Sequence, residues 1–407
     1  MRVRAFQGLV PHPDKVAKVA SVPYDVVNTE EAAKLAEGNP DSFLHVIRPE
    51  IDLPQGTDIY SDEVYAKAVE NFKKLQDNGV LIRESAPCVY VYRQTMGDHS
   101  QIGIALTCHI EEYERDIIRK HEKTRPDKED DRTRVVSELN ANPGPVFLTY
   151  RENVEIDALV NHVVETEEPT FDFVAPDGVG HTVWRVGNHE EFVRLFGEVE
   201  LGYVADGHHR SASAYRVGAE RRAANPNHDG TENYNWFLTV LFPADQLKIL
   251  AYNRAVASLN GLSEDAFLAK VRETFQVTES GEKEPAGSGQ VCMHLGGKWF
   301  TLSWDPDPNA DPVSSLDVSV LQERLLAPVL GIEDPRTAKG IAFIGGIRGT
   351  GELEAKVASG EAAVAFSMYP TTCDQLMAIA DAGQIMPPKS TWFEPKLRSG
   401  LFVHTLD

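Results

Sequence analysis

The segment Ala205-Asp206-Gly207-His208-His209-Arg210 sets four polar side chains and a glycine directly behind an apolar run. Leu201 to Ala205 reads as a short strand, and Ser211 to Arg216 opens a helix, so Asp206 to Arg210 is expected at a strand-to-helix turn. Such a turn aims unpaired backbone N–H groups and the positive end of a helix dipole at whatever binds there, and a phosphate fits. Gly207 lets a ligand approach the backbone. Arg210 offers a fork of donors to oxyanions, and Asp206 can hold a hydrated divalent cation or cap the helix. The plainer reading makes Asp206 only an N-cap and the two histidines surface residues. A zinc site is disfavoured, because adjacent helical side chains point roughly 100° apart and no H-E-x-x-H pair accompanies them.

Two further clusters carry chemistry. In Arg119 to Arg132, Glu122 stands between His121 and Lys123 and can serve as a carboxylate base among cations. Pro126 breaks what precedes it, and Asp127 is expected to cap the helix that follows; apart from Glu122, the run reads as a solvated charged segment. In Gly383 to Lys396, two prolines stiffen the approach to Lys389, Ser390 and Thr391, a cation and two hydroxyls suited to an oxyanion or polar substrate, or simply to a surface loop. Gly345 to Gly351 lacks the Gly-Lys-Ser/Thr ending of a P-loop and reads as a glycine-rich turn. Val22 to Asn28 and Arg48 to Glu50 are polar-aromatic turns that either line a cleft or merely pack.

The elements that must position these residues are partly legible. Val64, Ala68, Phe72 and Leu75 recur at helical spacing between Ser61 and Gly79, where the glycine suits a left-handed cap. Pro87 to Gln94 and Gln101 to Ile110 read as a hairpin around residues 96–99, and Phe171 to Ala175 with His181 to Val186 repeat the device around Pro176-Asp177-Gly178. Gly281 to Gly289 and Pro306 to Pro312 read as loops, and no repeat of fixed period is present. Alternating strands and helices predict a mixed α/β protein. Its expected parts are an N-terminal α/β unit over 1–110, a core over 111–260 that carries the turn, and a C-terminal lobe over 261–407 that carries the Pro-Pro-Lys-Ser-Thr loop.

With 407 residues, the chain exceeds what a single growing core accommodates. Its formal charge of −22 disfavours nucleic acid and anionic membrane partners, so any phosphate must be gripped locally. The N-terminus lacks the apolar stretch of a signal peptide and no run of membrane-spanning length follows, which predicts a cytoplasmic protein. Cys88, Cys108, Cys292 and Cys373 form no C-x-x-C pair and are expected to be buried thiols. The oligomeric state is not legible.

The chain resembles the prokaryotic family of domain of unknown function 1015, on Val22-Pro23-Tyr24-Asp25-Val26-Val27, Lys120-His121-Glu122-Lys123-Thr124, Tyr203 to Arg210 and Met386-Pro387-Pro388-Lys389-Ser390-Thr391. From about residue 115 onward the last three clusters also resemble, more distantly, the ADP-dependent free-serine kinases of the ParB-like and sulfiredoxin-like nucleotide-binding folds. Those kinases carry an early His-Glu, an Asp-Gly-His-His-Arg turn and a late Pro-Lys-Thr-Thr in that order. The resemblance implies a ParB-like core and a phosphotransferase that uses ADP or ATP with magnesium on the hydroxyl of a small, amino-acid-like substrate. Glu122 and Asp206 would be catalytic, and Asp206 would also hold magnesium. Gly207, His208, His209 and Arg210 would bind phosphate, and Lys389, Ser390 and Thr391 would bind substrate. Trp392 stands where the kinases have an arginine, so serine itself is not implied. The alternatives are a nucleotide-binding regulatory module without turnover and, third, a metal-dependent hydrolase.

One site requires segments far apart in sequence to converge, with the Glu122 carboxylate within roughly 10 Å of the turn and the amides of Gly207 to His209 facing a polar pocket.

Overall fold

The structure, a computed structural model, describes residues 1–407. Sixteen residues of amphipathic sequence form α1 (Asp62–Asp77), which buries Val64, Tyr65, Ala68, Phe72 and Leu75 and is followed by Gly79 at φ +66°. The spacing of 3–4 residues puts those side chains on one stripe. The expected hairpin is β2 (Val89–Met96) and β3 (His99–His109), joined by a two-residue turn in which Gly97 adopts φ +61°. With β1 (Val3–Arg4) against β3, these strands enter a mixed sheet of nine strands. Its other members are β4 (Ile118–Arg119), β5 (Val146–Tyr150), β6 (Phe171–Val174), β7 (Gly180–Val186), β8 (Gly202–Asp206) and β9 (Trp236–Pro243), in the order β4-β8-β5-β9-β3-β2-β7-β6.

One face of this sheet, with Val89, Val91, Leu106, Leu148 and Leu241, packs on Ile156, Val160 and Val163 of α3 (Val154–Thr166) and on Phe192, Leu195 and Phe196 of α4 (Glu190–Glu198). A second cluster joins α1 to Val135 and Leu139 of α2 (Pro126–Leu139) and to Val403 near the C-terminus. α5 (His208–Ala224) lies alongside α2 and buries Ser211, Ala212, Ser213, Ala214 and Gly218. Elsewhere on α5 the packing is equally close: a Cβ on Gly218 would sit 2.5 Å from the Tyr234 carbonyl oxygen.

The chain divides into two compact units, one comprising Met1–Leu247 with Pro395–Asp407, the other Lys248–Glu394. The second unit holds an antiparallel sheet of six strands: β10 (Tyr252–Val256), β11 (Gln276–Ser280), β12 (Gln290–Leu295), β13 (Lys298–Ser303), β14 (Ile341–Gly345) and β15 (Val364–Met368), in the order β11-β13-β12-β15-β10-β14. The stretches 281–289 and 306–312 are loops.

Four local expectations need correction. The strand-to-helix turn at Asp206–Arg210 is tighter than expected, with α5 starting at His208 instead of Ser211. Left-handed Gly207 turns the chain at once, so His208, His209 and Arg210 form the helix's first turn. Asp127 does not cap α2; the N-cap is Arg125, and Pro126 takes the first helical position that suits a residue without an N–H. Residues 349–351 begin a helix, Gly349–Ala358, and are no free turn. Cys373, at the start of another helix, is only partly buried, whereas Cys88, Cys108 and Cys292 are buried. No helix is long and apolar enough to cross a membrane.

Candidate functional site

Two strand-to-helix crossings in the first unit run side by side. β4 and β8 are parallel neighbours, with Ile118 opposite Gly202 and Arg119 opposite Tyr203. The offset of 84 positions persists past the strands, since the Arg125 N–H donates to His209 Nε2 at 3.0 Å and the Ser213 hydroxyl to the Glu129 carbonyl at 3.2 Å. Parallel strands deliver their following loops to one edge of a sheet. The two loops therefore meet, and α2 and α5 start at the same place with their N-termini together.

That register brings Glu122 to the turn. Its Oε2 lies 3.7 Å from Nδ1 of His208, and its side chain is 38% exposed. His208 is buried, and burial pushes its imidazole down to about 3, with neighbouring Asp206 opposing the shift. The ring of His121 meets that of His208 edge to face at 4.5 Å; burial, with the adjacent His208, likewise lowers His121 to about 3. Both rings are thus neutral near pH 7. Nε2 of His208 makes no hydrogen bond. His209 accepts from the Arg125 amide, so the proton of its neutral ring resides on Nδ1; burial lowers its pKa too, against the fields of Asp25 and Glu122.

Asp206 ends β8 just past a register shift against β5 between Val204 and Asp206. Such a bulge re-aims the side chain that follows it. Burial by itself would raise the Asp206 carboxyl, but Lys396 and Arg210 outweigh it and hold the group well below the usual carboxylate range. Its Oδ2 is 3.4 Å from Lys396 Nζ and 3.6 Å from Arg210 Nη2, and the side chain keeps 26% exposure. These contacts are longer than tight charge-assisted hydrogen bonds of about 2.7–2.9 Å, which leaves the carboxylate able to take another cation. Arg210 also donates to the Pro145 carbonyl, while its Nε is buried without a partner.

Gly207 has a strict steric role. Its φ is +97°, and a Cβ there would lie 3.0 Å from Nε of Arg210. Gly207→Ala is expected to cost about 1–2 kcal/mol through the left-handed backbone, read as a lowered urea midpoint, and to push the guanidinium out of place. An unchanged midpoint would show that the turn relaxes freely.

Lys396 is the functional candidate that sequence reasoning left out of the site. Its backbone carbonyl accepts from buried Gln94 at 3.0 Å, and Gln94 in turn accepts from its cross-strand partner Gln101 at 3.1 Å. Two residues on, buried Arg398 donates to Nε2 of His181 at 3.0 Å and pairs with Asp177, while Nδ1 of His181 meets the Tyr92 hydroxyl at 2.7 Å. These buried polar pairs lock the C-terminal segment to the sheet and fix where Lys396 stands. The Val22–Asn28 turn also belongs here: Arg132 stacks on the Tyr24 ring at 3.9 Å, and both line a small cavity with Arg210, Asn142 and Ser399. That cavity has about 30 Å³ of space for water-sized molecules, room for about two waters. Lys120 points elsewhere, paired with Asp116 at 2.6 Å over the Tyr113 ring.

Lys389, Ser390 and Thr391 lie in the second unit. Lys389 adopts φ +56° with its ammonium 5.4 Å from the Tyr252 ring centre. Ser390 is buried, its hydroxyl donating to Pro387 at 2.7 Å, which ties it to the loop's own backbone. No three His, Cys, Asp or Glu side chains are grouped to hold a metal ion, so a cation at the turn would depend on Asp206 together with ligand oxygens.

Fold and site together define a two-unit mixed α/β protein with a cation-flanked strand-to-helix turn. The chain belongs to the family described as "Protein of unknown function (DUF1015)", which it matches over residues 3–319. Among solved structures it is similar to a free serine kinase in complex with AMP, at 14% identity and a TM-score of 0.36, over 73% of this chain and 92% of that one. It is also similar to a conserved hypothetical protein from Pyrococcus furiosus, at 14% identity and a TM-score of 0.36, over 72% and 93% of the two chains. SbnI from Staphylococcus aureus, with a C-terminal truncation, shares 11% identity at a TM-score of 0.39 over 72% and 85%. No curated protein matches the sequence.

Proposed function

We propose that this protein transfers a phosphoryl group between a nucleotide, ADP or ATP, and the hydroxyl of a small, amino-acid-like molecule. The observation that carries the reading is the 3.7 Å approach of the Glu122 carboxylate to the first residue of the helix that follows the Asp-Gly-His-His-Arg turn. Phosphoryl transfer needs positioning and charge neutralisation more than covalent assistance. The first amides of α5 have no side-chain cap, and Arg210 and Lys396 add full positive charges beside Asp206. Gly207 keeps the backbone open to phosphate oxygens, and neutral His208 and His209 contribute polar donors without repelling the cations. Partly exposed Glu122 takes the proton of the acceptor hydroxyl as its oxygen bonds to the terminal phosphorus and the bridging oxygen–phosphorus bond breaks, releasing the nucleotide one phosphate shorter. Lys389, Ser390 and Thr391 contact the acceptor in this reading.

Magnesium fits the ionised, partly exposed carboxylate of Asp206, with phosphate oxygens and water completing its shell; when bound it supplies charge neutralisation on the transferring group. A nucleotide-dependent reaction of this kind suits a cytoplasmic protein.

Thermal unfolding with magnesium and a panel of nucleotides tests the reading. The correct nucleotide at about 100 times its Kd stabilises the fold by about 2.7 kcal/mol, and product analysis with small hydroxy compounds then identifies the acceptor. If no nucleotide shifts Tm in the presence of magnesium, the proposal fails.

A further inference from the structure

Arg254 is the most anomalous charge in the second unit. It sits on β10 between Phe343 of β14 and Phe366 of β15, and only 4% of it is exposed. Its Nη2 donates to the Lys389 carbonyl at 3.1 Å, its Nη1 to the Tyr252 carbonyl, and its Cζ lies 5.4 Å from the centre of the Phe343 ring. The groups that act on its charge are burial, which lowers it to about 10, and Tyr252, with no carboxylate among them. A buried cation without a counter-ion is costly, and the chain has 62 acidic residues against 40 Lys and Arg from which to supply one. The neighbouring cation, exposed Lys389, makes no ion pair either and rests over Tyr252.

The loop that carries Lys389 is already rigid. Arg254 holds the Lys389 carbonyl, Thr371 donates to the Ser390 carbonyl at 3.0 Å, and the Ser390 hydroxyl closes back on Pro387. Two cations with no carboxylate between them, Arg254 on its strand and Lys389 held at φ +56° on the loop it fixes, are organised for an anion before any ligand arrives. A guanidinium that has used two of its five N–H donors keeps three.

We propose that Arg254 and Lys389 form an oxyanion subsite in the second unit that takes the carboxylate of the small hydroxyl-bearing substrate, with Arg254 also positioning Lys389. This rests on the phosphotransfer reading, in which the acceptor is a small, amino-acid-like molecule.

Thermal unfolding of the full chain separates the two ideas. Glycerate and L-threonine are compared with glycerol and L-threoninol, which keep the hydroxyl and lose the carboxylate, and with inorganic phosphate. The carboxylates raise Tm and their neutral counterparts do not. Arg254→Met raises the half-saturating carboxylate concentration by about tenfold or more, while the nucleotide-induced shift persists. Exposed Lys389→Met gives the same reading if the Arg254 variant does not fold. Equal shifts from neutral and charged compounds, an effect of phosphate but not of carboxylates, or a full carboxylate response in both variants would overturn the proposal. Carboxylate stabilisation without any nucleotide response would leave the subsite standing and remove the kinase reading.

Discussion

Glu122→Gln is expected to lower kcat by about 10²–10⁴-fold while nucleotide affinity stays nearly unchanged. Glutamine keeps the shape and the neighbourhood of His208 but cannot accept a proton from an attacking hydroxyl. The Glu122 side chain has no backbone partner that folding depends on, and its single close polar neighbour is Nδ1 of His208 at 3.7 Å. Stability should therefore change little. The measurement is steady-state turnover with the nucleotide and acceptor found above, beside nucleotide titration of the same variant. Turnover equal to wild type would remove Glu122 as the base, and loss of nucleotide binding in proportion to turnover would make it a binding residue. A protein that binds nucleotide, turns nothing over and ignores this substitution would be a regulatory module.

Acidification should unfold the first unit well before the second. Five buried histidines of the first unit are lowered chiefly by burial: His121, His181 and His208 to about 3, His109 and His404 to about 4. Each binds its proton more weakly when folded than in the unfolded chain, where the ordinary value is 6.5. Their stabilisation is complete above that value. As pH falls below it, the unfolded chain takes up protons that the folded chain refuses, and each histidine gives up about 1.4 kcal/mol per pH unit until its folded value is reached. Together they remove roughly 5 kcal/mol or more per unit, against a total stability of about 5–15 kcal/mol, so the first unit should be lost near pH 5. Asp206 acts further down: its depressed carboxyl contributes stability above the ordinary 3.8 that is lost as pH falls below it. The second unit has a single histidine, His294. Thermal scans from pH 7.5 to 5 should resolve two transitions, the one belonging to the first unit falling steeply. A flat Tm across that range would show that the histidines titrate normally.

Much of the local structure is legible in the chain itself. The stripe of Val64, Ala68, Phe72 and Leu75 specifies α1 because 3.6-residue periodicity and a glycine stop are local properties. The hairpin of β2 and β3 follows from β-branched and aromatic runs flanking turn residues. The Asp206–Arg210 turn is readable because a short apolar strand, a glycine and a polar cluster meet within ten residues.

What brings such residues together was decided only by tertiary structure. β4 has two residues, too few for any period to show, yet its parallel pairing with β8 aligns two crossings 84 positions apart and sets Glu122 beside His208. Pairing across so long an interval depends on which surfaces bury one another, not on local preference. The bulge that re-aims Asp206, the left-handed Gly207 that starts α5 early, and the return of Lys396 through the glutamine pair all arise from contacts across the sheet. Arg254 carries no mark in its own neighbourhood, since burial and the absence of a counter-ion are properties of the packed unit. Periodicity and turn chemistry act over a few residues, and they specify elements; register, burial and charge pairing act between elements, and they make the site.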